Sequence, residues 1–184
     1  LYPIAQGLNV RRVAMAPDMG IDLDALARAA ALPGVAMVYL CNPNNPTGMV
    51  LSPAALTAFA AALPAHVTLL VDEAYMELAD DPAATTMLPL VGRGANIIIT
   101  RTFSKLFGMA GLRIGYAVAS PANAAELKRH RLTISLNAPG LAAALAAWDD
   151  GDFQRDSRAQ IIAARRVLQA AVAKAGTVAL PSQT

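Results

Sequence analysis

The sequence predicts an α/β fold: a doubly wound, mostly parallel sheet with helices on both faces. Three observations carry that prediction. Residues 35–40 and 67–71 are short, nearly continuous apolar runs and 96–101 is built on the isoleucines 97–99, the pattern of strands buried on both faces. They alternate with longer alanine- and leucine-rich stretches of helical length, the order that a parallel sheet with crossover helices requires. Each run stops abruptly at polar residues, and in open α/β sheets ligands sit beyond the carboxyl ends of the strands.

Taken in order, residues 10–15 mix β-branched and basic side chains and predict a short strand. Asp22 is placed to cap a helix beginning at Leu23, and Pro33-Gly34 stops it. The run 35–40 is a buried strand that opens into the polar loop 42–48. Ser52-Pro53 is a helix start, with a capping hydroxyl and a proline in the first turn; the helix fills to Leu63 and Pro64 closes it. Strands follow at 67–71, 96–101 and 114–118, then a surface helix over 122–131 and an apolar helix over 141–148. From 153 to 174, apolar residues recur at Phe153, Ile161, Ile162, Val167, Leu168 and Val172 with arginines between them, which predicts a long amphipathic helix. Residues 177–180 look like the start of another strand.

Composition narrows the function classes. With 55% hydrophobic and 15% charged residues, the 184-residue chain can bury a sizeable core, which excludes intrinsic disorder. Fifteen Lys and Arg against thirteen Asp and Glu give a net charge of +2 with no basic stripe, so no nucleic-acid partner is expected. The lone Cys41 excludes an intrachain disulfide, and with two separated histidines it makes no standard zinc site, so no metal is expected. A cytoplasmic location is the matching expectation. The longest apolar stretch, 54–71, is interrupted by Pro64 and His66, so no membrane span is expected. The chain opens at Leu1 and stops just after an incipient strand, which reads as a piece of a longer protein.

Three strand ends carry the chemistry. The first is Cys41-Asn42-Pro43-Asn44-Asn45-Pro46-Thr47-Gly48, which taken alone is an ordinary tight turn. The second is Asp72-Glu73-Ala74-Tyr75, whose aspartate alone would be a helix cap. The third is Arg101-Thr102-Phe103-Ser104-Lys105, followed by Gly111-Leu112-Arg113-Ile114-Gly115-Tyr116, where a lysine alone would be a solvated loop charge. Three commonplace residues at three successive strand ends, with Arg113 eight positions after Lys105, are together specific.

In that order the motifs resemble the pyridoxal-phosphate-dependent class I and II aminotransferases of fold type I, and their wording is most like the histidinol-phosphate aminotransferase branch. The resemblance implies pyridoxal 5'-phosphate as cofactor and Lys105, Asp72 and Tyr75 as catalytic residues. Lys105 would hold the cofactor aldehyde as a Schiff base and then serve, in its neutral form, as the base that moves the substrate proton. Asp72 would pair with the protonated pyridine nitrogen and keep the ring an electron sink. Asn45 and Tyr75 would donate to the ring oxygen, while Thr102, Ser104 and Arg113 would hold the phosphate.

The same resemblance implies a domain division: residues 1–150 as the cofactor-binding large domain, incomplete at its start, and 151–184 as an interdomain helix and the beginning of a small domain. It implies a small-molecule amino donor, an amino acid or histidinol phosphate, with a 2-oxo acid acceptor, and a homodimer for the complete enzyme. Full members extend beyond both ends of this chain, so the chain alone is expected to capture cofactor weakly and to show negligible transamination. The alternatives are a related decarboxylase, an aromatic aminotransferase, a catalytically incompetent fragment, or, from another class, a non-catalytic doubly wound domain that binds a nucleotide or a protein partner, supported by the glycines from 108 to 115. Those glycines follow the lysine rather than open a βαβ unit, which weighs against the last. Glu73 is expected solvated or paired, Cys41 buried and inert, His66 and His130 on the surface, and Trp148 and Phe153 in a helix interface.

Overall fold

Among the described residues, which are 2–93, 95–132 and 135–184 of this computed structural model, four strands form one sheet in sequence order: β1 (Met37–Cys41), β2 (Thr68–Asp72), β3 (Ile97–Thr102) and β4 (Gly115–Ala119). β1, β2 and β3 run parallel, with Cys41 opposite Asp72 and Asp72 opposite Thr100. β3 and β4 are antiparallel. The helices are α1 (Tyr2–Ala5), α2 (Leu23–Ala30), α3 (Pro53–Ala62), α4 (Pro82–Thr85), α5 (Leu88–Val91), α6 (Pro121–Arg129), α7 (Ala138–Asp149) and α8 (Gly151–Lys174). The fold class is the predicted one, a mostly parallel sheet flanked by helices.

Caps fix where the main helices begin. Asp22 Oδ1 accepts from the Ala25 amide at 2.8 Å and starts α2, and Ser52 Oγ accepts from Ala55 at 3.2 Å and starts α3, with Pro53 in the first turn. Alternation in the strands then sets the core. Val38, Leu40, Leu69, Val71, Ile97 and Ile99 point to one face and pack with Ala30 of α2, Leu56 and Phe59 of α3 and Val91 of α5. Each such side chain taken fully from water contributes about 1.5–3 kcal/mol. Over β1 the opposite face is open: Met37 and Tyr39, which alternate with Val38 and Leu40, are half or more exposed.

A second cluster holds the loop that follows β3. Phe103, Leu106, Phe107 and Ile114 are buried with Leu78 and with Ala144 of α7. Trp148 lies 6.3 Å from Phe103 and 5.9 Å from Tyr116 between ring centroids, so it does join this packing. It nevertheless remains more than half exposed, as Phe153 is partly exposed.

Two expected strands do not form. Residues 10–15 run past β1 with no ladder to it, leaving a groove of about 330 Å³ lined by Arg11, Met15, Tyr39 and Cys41. Two adjacent arginines interrupt the alternation that a half-buried edge strand needs. Residues 177–180 are also irregular, and Val178 is 93% exposed, with no strand beside it to pair with among the described residues. The tail instead turns back onto the 42–48 loop, where the Gln183 amide donates to the Gly48 carbonyl at 2.8 Å.

Candidate active site

The parallel register brings three strand ends level, and the ladder continues one step into each loop. The Asn42 amide donates to the Asp72 carbonyl and the Glu73 amide to the Thr100 carbonyl, both at 2.9 Å. The side chains that leave these ends therefore start from backbone fixed on either side.

Asparagines fold the first loop. Asn42 is fully buried; its Oδ1 accepts from the Leu51 amide at 2.9 Å and its Nδ2 donates to the Thr85 carbonyl at 3.3 Å. Asn44 Nδ2 donates to Thr47 Oγ1 at 2.9 Å, and the Gly48 amide returns to the Asn44 carbonyl at 2.7 Å. Gly48 sits at φ +65°, and a Cβ there would also collide with Ser182, so only glycine closes this turn. Held this way, Asn45 projects from the rim and its Nδ2 donates to Tyr75 Oη at 3.1 Å.

At the end of β2, Asp72 and Glu73 leave the sheet in opposite senses. Glu73 is 0% exposed and belongs to the buried side. Its Oε2 accepts from Arg101 Nε at 3.0 Å and Nη2 at 2.8 Å, while Oε1 accepts from the Met87 amide at 2.7 Å. Thr86 Oγ1 bonds the same carboxylate and accepts from Arg101. Burial alone would lower the pKa of the Arg101 guanidinium, but the neighbouring Glu73 charge and the hydrogen bonds to its carboxylate outweigh it and hold it above the ordinary arginine value. Glu73 is thus paired, one of the two options the sequence left open.

Asp72 faces the open side. Its Oδ1 accepts from the Ala74 amide at 3.0 Å and its Oδ2 from Tyr39 Oη at 3.0 Å. Burial first, and then the Asp72 charge, push the Tyr39 phenol well above its ordinary value, so the hydroxyl keeps its proton and remains a donor. Tyr39 was not singled out by the sequence, where it reads as one more apolar member of a strand. The available signal was its position two residues before a motif, on the face opposite the core.

The third end carries Lys105. Its neighbours Phe103, Leu106 and Phe107 are buried while Lys105 itself is exposed, so the apolar residues anchor a loop that displays one amine. Lys105 Nζ lies 4.8 Å from the Tyr75 ring centroid. Thr102 Oγ1 donates to Ser104 Oγ at 2.9 Å and accepts from the Ser104 amide at 3.1 Å, setting two hydroxyls side by side. Gly115 allows the close approach of β4 here, since a Cβ would meet the Arg101 carbonyl oxygen at 2.8 Å.

Tyr75 is therefore the meeting point of Asn45 and Lys105, with Asp72 three residues before it and Thr102 and Ser104 on the adjacent strand end. Arg113 is brought to the neighbouring turn, with φ +56°, but its Nη1 donates to the Ala110 carbonyl of its own turn at 2.7 Å rather than to the other candidates. Cys41 is buried, its Sγ donating to the Pro43 carbonyl at 3.2 Å; burial is the main cause that raises its thiol pKa. His66 and His130 lie on the surface. Among the described residues no group of three or more His, Cys, Asp or Glu side chains could hold a metal ion, and no helix is long and apolar enough to cross a membrane.

Known proteins resemble this chain in sequence and in fold. A histidinol-phosphate aminotransferase of Limosilactobacillus fermentum is 41% identical over 160 residues, which cover 87% of this chain and 44% of that protein. An aromatic amino acid aminotransferase of Mycolicibacterium vanbaalenii is 39% identical over 100% of this chain and 52% of its own length. The crystal structure of histidinol-phosphate aminotransferase from Sinorhizobium meliloti, in complex with pyridoxal-5'-phosphate, superposes with a TM-score of 0.92 at 34% identity, over 100% of this chain and 49% of that one. The chain spans about half the length of the curated relatives it matches. The family model described as Aminotransferase class I and II matches residues 4–184, and the chain belongs to that family.

Proposed function

We propose that this chain carries the cofactor-holding side of an aminotransferase active site, which moves an amino group between an amino acid or histidinol phosphate and a 2-oxo acid with pyridoxal 5'-phosphate at Lys105. The observation that carries the reading is the convergence on Tyr75 of Asn45 at 3.1 Å and Lys105 at 4.8 Å, beside an Asp72 carboxylate on the open face. The donor set fits the group: a carboxylate for a protonated ring nitrogen, an amide and a phenol for a ring oxygen, two hydroxyls and a guanidinium for a phosphate, and one exposed amine for an aldehyde. When bound, the cofactor supplies an electrophilic aldehyde and a ring that takes up the electron pair released at the substrate carbon.

The chain's own residues would divide the remaining work. Lys105 Nζ would be the attachment point and would take and return the proton of the substrate carbon. Asp72 orients and charge-balances the ring nitrogen through whichever carboxylate lone pairs the Ala74 amide and Tyr39 leave free. Asn45 and Tyr75, already bonded to each other, turn their donors to the ring oxygen. Thr102 and Ser104 would hold the phosphate, and Arg113, whose Nη1 donates to the Ala110 carbonyl here, would supply a charge-assisted partner for its oxygens.

The reading extends to the domain division: residues 1–150 form the cofactor-binding unit, and α8 leads from it within 151–184 toward a smaller one. It also extends to a homodimer, which the exposed stripe of Leu141, Leu145 and Trp148 along α7 supports, since the spacing i, i+4, i+7 places them on one face. A cytoplasmic home agrees with Cys41 being free of any disulfide. Among related chemistries, the histidinol-phosphate branch is favoured by several relatives near 40% identity that bear that name.

A spectral titration tests the proposal. Pyridoxal phosphate added to the purified chain is expected to gain the shifted, protein-bound absorbance of a lysine-linked cofactor, and Lys105→Ala is expected to abolish it. An unchanged spectrum with the wild-type chain even at a large excess of pyridoxal phosphate contradicts the reading.

A further inference from the structure

We propose that Tyr39 is a positioning residue for the cofactor ring, acting through Asp72 by a hydrogen bond from its hydroxyl to the carboxylate; the inference rests on the cofactor reading above. A carboxylate at the end of a strand on an open sheet face rotates freely unless both oxygens are held. Here Oδ1 is fixed by the Ala74 amide at 3.0 Å and Oδ2 by Tyr39 Oη at 3.0 Å. The first bond is local and comes with the turn. The second crosses from β1 to β2, from a residue 33 positions earlier, so it depends on the tertiary register that sets Cys41 opposite Asp72.

The placement of Tyr39 is otherwise hard to account for. Its side chain is on the face away from the core and is 58% exposed, so packing does not explain a large aromatic there. A phenol that donates to a carboxylate oxygen narrows the range of angles the carboxylate can adopt. Partial desolvation of this half-exposed side chain and the neighbouring Asp72 charge raise the Tyr39 pKa and keep it a donor over the physiological range. An acceptor-only carboxylate has about four lone-pair sites, and two are used here, which leaves others for a ring N–H. Tyr39 thus sets the direction in which Asp72 presents its free lone pairs, without touching the reacting atoms.

The test is a double-mutant cycle read by cofactor affinity rather than by turnover. Tyr39→Phe removes only the hydroxyl, and is expected to weaken pyridoxal phosphate binding to the full chain roughly three- to tenfold, the size of one charged hydrogen bond partly exposed to water. In an Asp72→Asn background the same substitution is expected to change affinity less than about twofold, because the carboxylate through which it acts is gone. A cofactor analogue with carbon in place of the pyridine nitrogen is expected to bind wild type and Tyr39→Phe alike. A merely structural tyrosine would lower all these affinities together, and that result overturns the proposal. Equal binding of pyridoxal phosphate by wild type and Tyr39→Phe overturns the positioning role alone and leaves the cofactor reading standing. Failure of the folded wild-type chain to take up any pyridoxal phosphate overturns both.

Discussion

At the scale of single residues, the site is a set of ordinary groups made specific by what holds them. Lys105 is exposed but its neighbours are buried, and Asp72 is held by a backbone amide and a phenol. The motif residues were readable in the sequence because each stands where an apolar run breaks. Tyr39 was not, since a tyrosine in an apolar run looks like any core residue until the register shows which face it occupies. The outward lean of Arg113 toward Ala110 was equally invisible, because spacing locates a side chain without aiming it. Cys41 gives a prediction at this scale. Its thiol is buried and its pKa raised chiefly by that burial, so in the native chain at neutral pH it is expected to resist iodoacetamide and to react once urea unfolds the protein. Stoichiometric alkylation of the folded chain, read by mass spectrometry, would show that the strand end is open.

At the scale of elements, the strand ends are held level by the ladder and by one buried ion pair. Glu73, next to Asp72, is bonded by Arg101 of β3, which leads into Thr102, Ser104 and Lys105. The pair therefore ties the loop carrying the acid to the loop carrying the amine. Removing one partner leaves a buried charge uncompensated, and Glu73→Ala is expected to lower unfolding stability by about 3–5 kcal/mol in urea denaturation. A loss below 1 kcal/mol would mean that water or another group replaces the pair. Sequence periodicity located the core strands and the main helices to within a few residues, because buried runs and caps are local signals. It failed at residues 10–15 and 177–180, where composition suits a strand but a strand also needs a neighbour to pair with. The antiparallel turn of β4 was likewise unreadable, since the connection 103–114 carries no crossover helix and direction follows from how it folds back.

At the scale of the whole molecule, the chain is a mostly parallel sheet that gathers four candidate groups, Asn45, Asp72, Tyr75 and Lys105, around one open rim, within a family whose curated relatives run to about twice its length. Alternating strands and helices fix the class of fold, and in such a fold the carboxyl ends of the strands are where chemistry collects. The central claim is a covalent one, and borohydride reduction reads it directly. The chain is incubated with pyridoxal phosphate, reduced, digested and mapped by mass spectrometry. The account predicts a single pyridoxyl adduct on Lys105, lost in Lys105→Ala and diminished in Asp72→Asn. An adduct scattered over Lys128 and Lys174 as readily as Lys105, or none at all, would contradict it.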